Sequence, residues 1–190
     1  MGLDLVRVTC GERRESVRVA SYSGVHVLRA CLVLELVARL WQHEELPPEN
    51  VQNMLECLTG QAFSHTGIDL YADVELTEED LQRLMDDGEL DISYEMLRDN
   101  DDGAFVEYVK QHVEIDTPLH AALIGAAKFI DHSDCDGVYS RGDVLDVSCF
   151  FNFLASVPVL RLPDWLQDKL RRLQAFFDLT AREGGCVIFA

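Results

Sequence analysis

The stretch that most restricts the fold of this chain is 25–41. It is apolar around its whole circumference, so a helix formed there has to be covered on every side. Arg29, Glu35 and Arg39 interrupt it, and no run of eighteen uncharged apolar residues exists. It therefore reads as a buried core helix rather than a membrane span. Ser21, Tyr22, Ser23 and Gly24 offer caps for a helix over 25–43. A chain of 190 residues with 48% hydrophobic content can supply the cover as a single domain spanning residues 1–190.

Residues 3–9 and 15–20 alternate in polarity and read as a hairpin-like pair, with the turn in residues 10–14. Pro47 and Pro48 break the chain and begin a helix to Leu58. Thr77 to Asp80 form a capping box for a helix to Met85, and 93–98 read as another helical turn or two. Residues 104–109 fit either strand or helix. Thr117 and Pro118 open a helix whose stripe is Leu119, Leu123, Ala126, Ala127 and Ile130. Ser140 and Asp143 form another capping box, with Val144, Val147, Phe151 and Leu154 facing inward. Pro163 and Asp164 start the last helix, Gly184 and Gly185 close it, and Val187, Ile188 and Phe189 form a short strand. The expected fold is α+β and predominantly helical: helices surround the central one, and a small sheet joins strands from both ends.

Charge divides the chain. Residues 1–48 hold six acids and six bases, residues 117–190 nine and seven, and residues 49–116 nineteen acids against Arg83, Arg98 and Lys110. The acidic subregion 49–116 thus carries −16 of the total −18. Nucleic acid and anionic membrane are repelled by such a surface, whereas a basic protein surface is attracted. A mimic of an anionic polymer is a further reading of the same charge; a solvated face that keeps the protein in solution is the plain one. Six cysteines, at 10, 31, 57, 135, 149 and 186, form no CxxC pair. Together with an N-terminal stretch that lacks a signal-peptide pattern, they suggest reduced thiols and a cytoplasmic location.

Within the helix–loop–helix of 118–155, the run Asp131-His132-Ser133-Asp134-Cys135-Asp136-Gly137-Val138-Tyr139-Ser140-Arg141-Gly142-Asp143 resembles an EF-hand calcium loop. Such a loop needs alternate oxygen ligands, a glycine at the sixth place and a carboxylate at the twelfth. With Gly137 sixth, Asp134, Asp136, Ser140 and Asp143 fall at the third, fifth, ninth and twelfth. His132 falls first, a nitrogen donor that calcium disfavours, so Asp131 is the better first ligand if the loop holds one extra residue. The resemblance implies a calcium or magnesium site at Asp131, Asp134, Asp136, Ser140 and Asp143. Capping and turn chemistry explain the same residues without a metal. Asn100, Asp102 and Gly103 repeat the first half of the pattern, but Val106 and Val109 end it. The phrase His132-Ser133-Asp134-Cys135-Asp136-Gly137 is also similar to one in small uncharacterised bacterial proteins, which implies no activity.

A catalytic alternative places a pocket near Ser23 and His26, where strand passes into helix. Capping by Ser21 or Ser23 and packing of His26 account for them without catalysis. The expectation is a non-enzymatic acidic interaction protein with a cation in the 131–143 loop.

Overall fold

The computed structural model describes residues 2–43, 46–59, 83, 102–130, 137–156 and 164–189. Strand β1 (Gly2–Thr9) pairs antiparallel with β2 (Glu12–Ser21), and Thr9 lies opposite Glu12. The turn is therefore only Cys10 and Gly11, not residues 10–14. Their φ angles of 50° and 79° suit the two-residue hairpin turns that match strand twist. Glu12, Arg13 and Arg14 are released to lengthen the strand.

Helix α1 (Tyr22–Trp41) follows β2 directly, and residues 31–40 are all buried. The helix thus begins before the expected residue 25, with Ser23 inside its first turn. It ends at Trp41, and Gln42 and His43 fold back to the carbonyls of Arg39 and Leu40. It packs on β1, β2 and three further elements, α2 (Pro48–Thr59), α4 (Pro118–Ile130) and α5 (Arg141–Ala155), while α3 (Asp102–His112) packs in turn on α2 and α4. Among the described residues no helix is long and apolar enough to cross a membrane.

The ambiguous 104–109 segment is helical. Phe105 and Val109, spaced by four, are fully buried, as they would be on one helical face. Tyr108 joins α3 to α2: its hydroxyl donates to Asn50 Oδ1 at 3.3 Å and accepts from Asn53 Nδ2 at 3.1 Å. Val51, Met54, Leu55 and Leu58 bury the inner face of α2. The expected helices at 77–85 and 93–98 lie outside the described residues.

Helices α4 and α5 pack backbone against backbone. A Cβ at Gly125 would stand 2.0 Å from the Asp146 carbonyl oxygen, so the backbones meet where only glycine fits. Thr117 caps α4 by accepting from the His120 amide at 3.1 Å. Helix α6 (Asp164–Arg182) lies against α5 and buries Leu166, Leu173, Phe176 and Phe177. Phe177 stacks on Phe151 with centroids 5.5 Å apart, and Phe129 meets both rings edge-on. Such geometry suits the ring quadrupoles.

The last strand, β4 (Cys186–Phe189), pairs with the free side of β1, placing Leu5 opposite Phe189 and Val8 opposite Cys186. Gly184, with φ 63°, turns the chain out of α6. At Gly185 a Cβ would press to 2.8 Å from Thr9 Cγ2. A two-residue strand that the sequence reading did not foresee, β3 (Val138–Tyr139), adds to β4 and completes the order β2-β1-β4-β3. Leu5, Arg7, Thr9, Tyr139, Val187 and Phe189 are buried toward the helices. The fold is thus α+β and mostly helical, with a central buried helix and a sheet built from both ends.

Candidate functional site

The helix–loop–helix is present, but the described part of its loop is organised around a lysine. Ser140 is the N-cap of α5. Its Oγ accepts from the Asp143 amide at 3.3 Å, and its own amide donates to Asp143 Oδ2 at 2.9 Å. The Ser140 hydroxyl also donates to Oδ2, at 2.6 Å. The second carboxylate oxygen, Oδ1, is held by Lys128 Nζ at 2.6 Å, and the same ammonium reaches Asp146 Oδ2 at 2.8 Å. Tyr139 fixes the base of this arrangement by donating from its hydroxyl to the Lys128 carbonyl at 3.0 Å.

These contacts set the charges. Burial opposes ionisation of Asp143, but the bond from Lys128 and the two from Ser140 outweigh it and hold the carboxyl below its usual range. Burial likewise lowers Lys128, yet its bonds to Asp143 and Asp146 lift it above the ordinary lysine value. Both oxygens of the twelfth-place carboxylate are therefore engaged, and the neighbouring positive charge is an ammonium.

The expected calcium or magnesium site is corrected accordingly. Among the described residues no group of three or more His, Cys, Asp or Glu could hold a metal ion. Asp131, Asp134 and Asp136 lie outside the described residues; Ser140 and Asp143 serve as the two halves of the capping box. The EF-hand-like, metal-binding description of 131–143 is replaced by a capped helix start tied to α4 through Lys128. The side chains of Ser23 and His26, the residues of the catalytic alternative, are likewise outside the described set.

Three further polar arrangements stand out. In α1, Arg39 and Glu35 are both buried, with Nε to Oε1 at 3.0 Å. Arg39 also donates to Ser156 Oγ at 3.0 Å and to the Leu154 carbonyl, where a cation complements the C-terminal end of α5. Its guanidinium lies 5.8 Å over the Phe153 ring. Burial lowers the Arg39 pKa, and Glu35 opposes that shift. Between α5 and α6, Ser148 donates to Asp178 Oδ1 at 2.5 Å, Asn152 donates to the same oxygen at 2.7 Å, and Gln174 donates to Asn152 Oδ1 at 2.7 Å. This network joins two helices. The nearby Cys149 is a free thiol, pushed up by burial and then by Asp146 and Asp178, which makes it a weaker nucleophile.

The third arrangement is a groove of about 590 Å³ between β2 and α6. Its lining combines Arg18, Lys169 and Arg172 with the apolar Val17, Phe176 and Leu179. The acidic middle of the chain dominates the charge pattern of the sequence and hides these bases. The signal was there: β2 and α6 together hold seven of the sixteen Lys and Arg.

Comparison with protein-family models, curated proteins and solved structures finds no match to this chain.

Proposed function

We propose that this chain is an interaction protein that acts by binding rather than by catalysis, and that residues 49–116 meet a basic surface on a protein partner. The observation that carries this reading is the confinement of a −16 charge to one continuous third of the sequence, against −2 for everything else. Charge spread evenly for solubility would not need such division. A field concentrated on one region steers a basic partner and fixes its orientation.

The described ends of that region fit the reading. Glu49 and Glu56 on α2, with Glu114 and Asp116 after α3, are exposed. Glu107 is exposed too and is bonded to Lys110 at 2.6 Å. Like charge repels nucleic acid and anionic lipid, which leaves a basic protein as the favoured class of partner.

Hydrogen exchange of the whole chain, with and without a lysine- and arginine-rich peptide, tests the proposal. At low salt the expected result is slowed exchange in α2, in α3 and through the intervening acidic residues, reversed by salt. Protection confined to other elements would overturn it.

A further inference from the structure

The groove between β2 and α6 runs against the charge of the molecule. On a chain of net −18, three cationic side chains share one hollow: Arg18 from the strand, and Lys169 and Arg172, three residues apart, from α6. Lys169 Nζ donates to the Arg18 carbonyl at 2.9 Å, which ties the two walls together and leaves two ammonium protons over. Three carboxylates stand near, the first being Asp4, the cross-strand partner of Arg18. Asp168 pairs with Arg172 at 2.8 Å, but both side chains are more than half exposed, so the pair is weak and easily re-formed. Glu15 also lines the groove and points its charge to the buried Arg7, at 3.6 Å.

Both walls also supply apolar lining: Val17 beside Arg18 on β2, and Phe176 and Leu179 beside Lys169 and Arg172 on α6. Val17 and Leu179 are half-buried and Phe176 is buried, so the hollow offers oily surface beside its positive edge. The volume lies in the range of small-molecule sites, which combine apolar lining with a few charged groups. We propose that this groove binds a small organic anion: a carboxylate or phosphate head held by Arg18, Lys169 and Arg172, with an apolar body against Val17, Phe176 and Leu179.

Crowding of like charge supports the assignment. Burial lowers the Lys169 pKa first, Arg172 and Arg18 lower it further, and only Asp168 opposes them. An anion placed among the three relieves that repulsion, which is a source of affinity an empty groove does not use. The planar guanidinium pairs in bidentate fashion with two oxygens of a carboxylate or a phosphate. The smallness of the ligand follows from the field of the whole molecule, which repels a long polyanion but lets a single charge reach a local positive edge. This inference does not depend on the acidic region having a basic partner.

Calorimetric titration of the full chain with phenyl phosphate, phenylacetate, inorganic phosphate and benzyl alcohol tests it. Phenyl phosphate and phenylacetate are expected to saturate one site per chain, and the tighter of the two identifies the head group. Inorganic phosphate should bind about tenfold or more weaker, and benzyl alcohol more weakly still. The double variant Arg18→Gln/Arg172→Gln, altered only at exposed side chains, should keep the melting temperature and lose about tenfold or more in affinity. Leu179→Ala should weaken the aromatic anions and leave inorganic phosphate unchanged. Absence of saturation in the millimolar range, or equal binding by the double variant, would overturn the proposal. So would an acidic peptide that binds the groove and is not displaced by phenyl phosphate.

Discussion

Replacing Arg39 by Met removes a cation whose side chain is 7% exposed from beside Glu35, which is 1% exposed. The stem of Met fills much of the same space, so the loss is mainly electrostatic. Taking one partner from a buried ion pair costs about 3–5 kcal/mol, because the remaining charge sits in a medium that solvates it poorly. The donor to the Leu154 carbonyl is lost as well. A central value of about 4 kcal/mol is a large share of the roughly 5–15 kcal/mol that holds a domain folded. For a chain of this size it corresponds to a fall in melting temperature of roughly 8–16 °C. Adding Glu35→Leu should recover more than half of that loss, since an apolar pair of similar volume often equals a buried ion pair. The double variant should then sit about 1–2 kcal/mol below the wild type, for the bonds to Leu154 and Ser156 that nothing replaces. Urea unfolding followed by circular dichroism, read as a double-mutant cycle, measures the coupling directly. A single variant within about 1 kcal/mol of wild type, or a double variant showing the sum of two losses, would refute the reasoning.

Gly125→Ala would gain up to about 1 kcal/mol on helix propensity alone, but contact with the Asp146 carbonyl should reverse the sign and cost about 1–3 kcal/mol or more in urea unfolding. Ser140→Ala removes the N-cap of α5 and should cost about 1 kcal/mol, seen as a lower melting temperature. The pH dependence of stability should show Asp143 and Lys128 at opposite ends. The lowered Asp143 contributes above its unfolded pKa and loses that contribution as acid protonates it below about pH 4, whereas the raised Lys128 contributes at neutral pH and loses its share as alkali removes the proton. In Lys128→Met, chemical unfolding across pH should be flatter at both ends, with a neutral-pH loss below about 1 kcal/mol because the ammonium is partly exposed.

Much of this architecture is legible in the sequence where local chemistry and burial agree. Ser140 and Asp143 are a capping box in the letters and in space. The all-round apolar character of 25–41 foretells the buried helix because no orientation of it can face water. Leu119, Leu123, Ala126, Ala127 and Ile130 form one stripe, and all are buried. What escaped depended on contacts distant along the chain. Tyr139 sits in a loop pattern in the sequence, but it becomes a strand residue by pairing with Val187, 48 positions on, a partner no local pattern names. Lys128 and Asp143 are fifteen residues apart, so the pairing that replaces the expected metal was invisible; only the place of Lys128 in the last turn of α4, suited to a cation, gave a trace. The groove bases lie on β2 and α6, 151 residues apart at the Lys169–Arg18 bond, and only the fold sets them side by side. The hairpin turn is shorter than the sequence suggests because Cys10 adopts a left-handed φ that favours glycine or asparagine, which its side chain does not advertise.

Affinity for one lysine- and arginine-rich peptide, measured against two sets of variants, bears most directly on the division of charge. Neutralising Glu49, Glu56, Glu114 and Asp116 should weaken binding about tenfold or more and flatten its salt dependence. Neutralising the same number of exposed acids elsewhere, Glu12, Asp164, Asp168 and Glu183, should change it by less than about threefold. Equal losses from both sets would mean that the peptide senses only the total charge, and residues 49–116 would then be no more than the acidic part of an acidic protein.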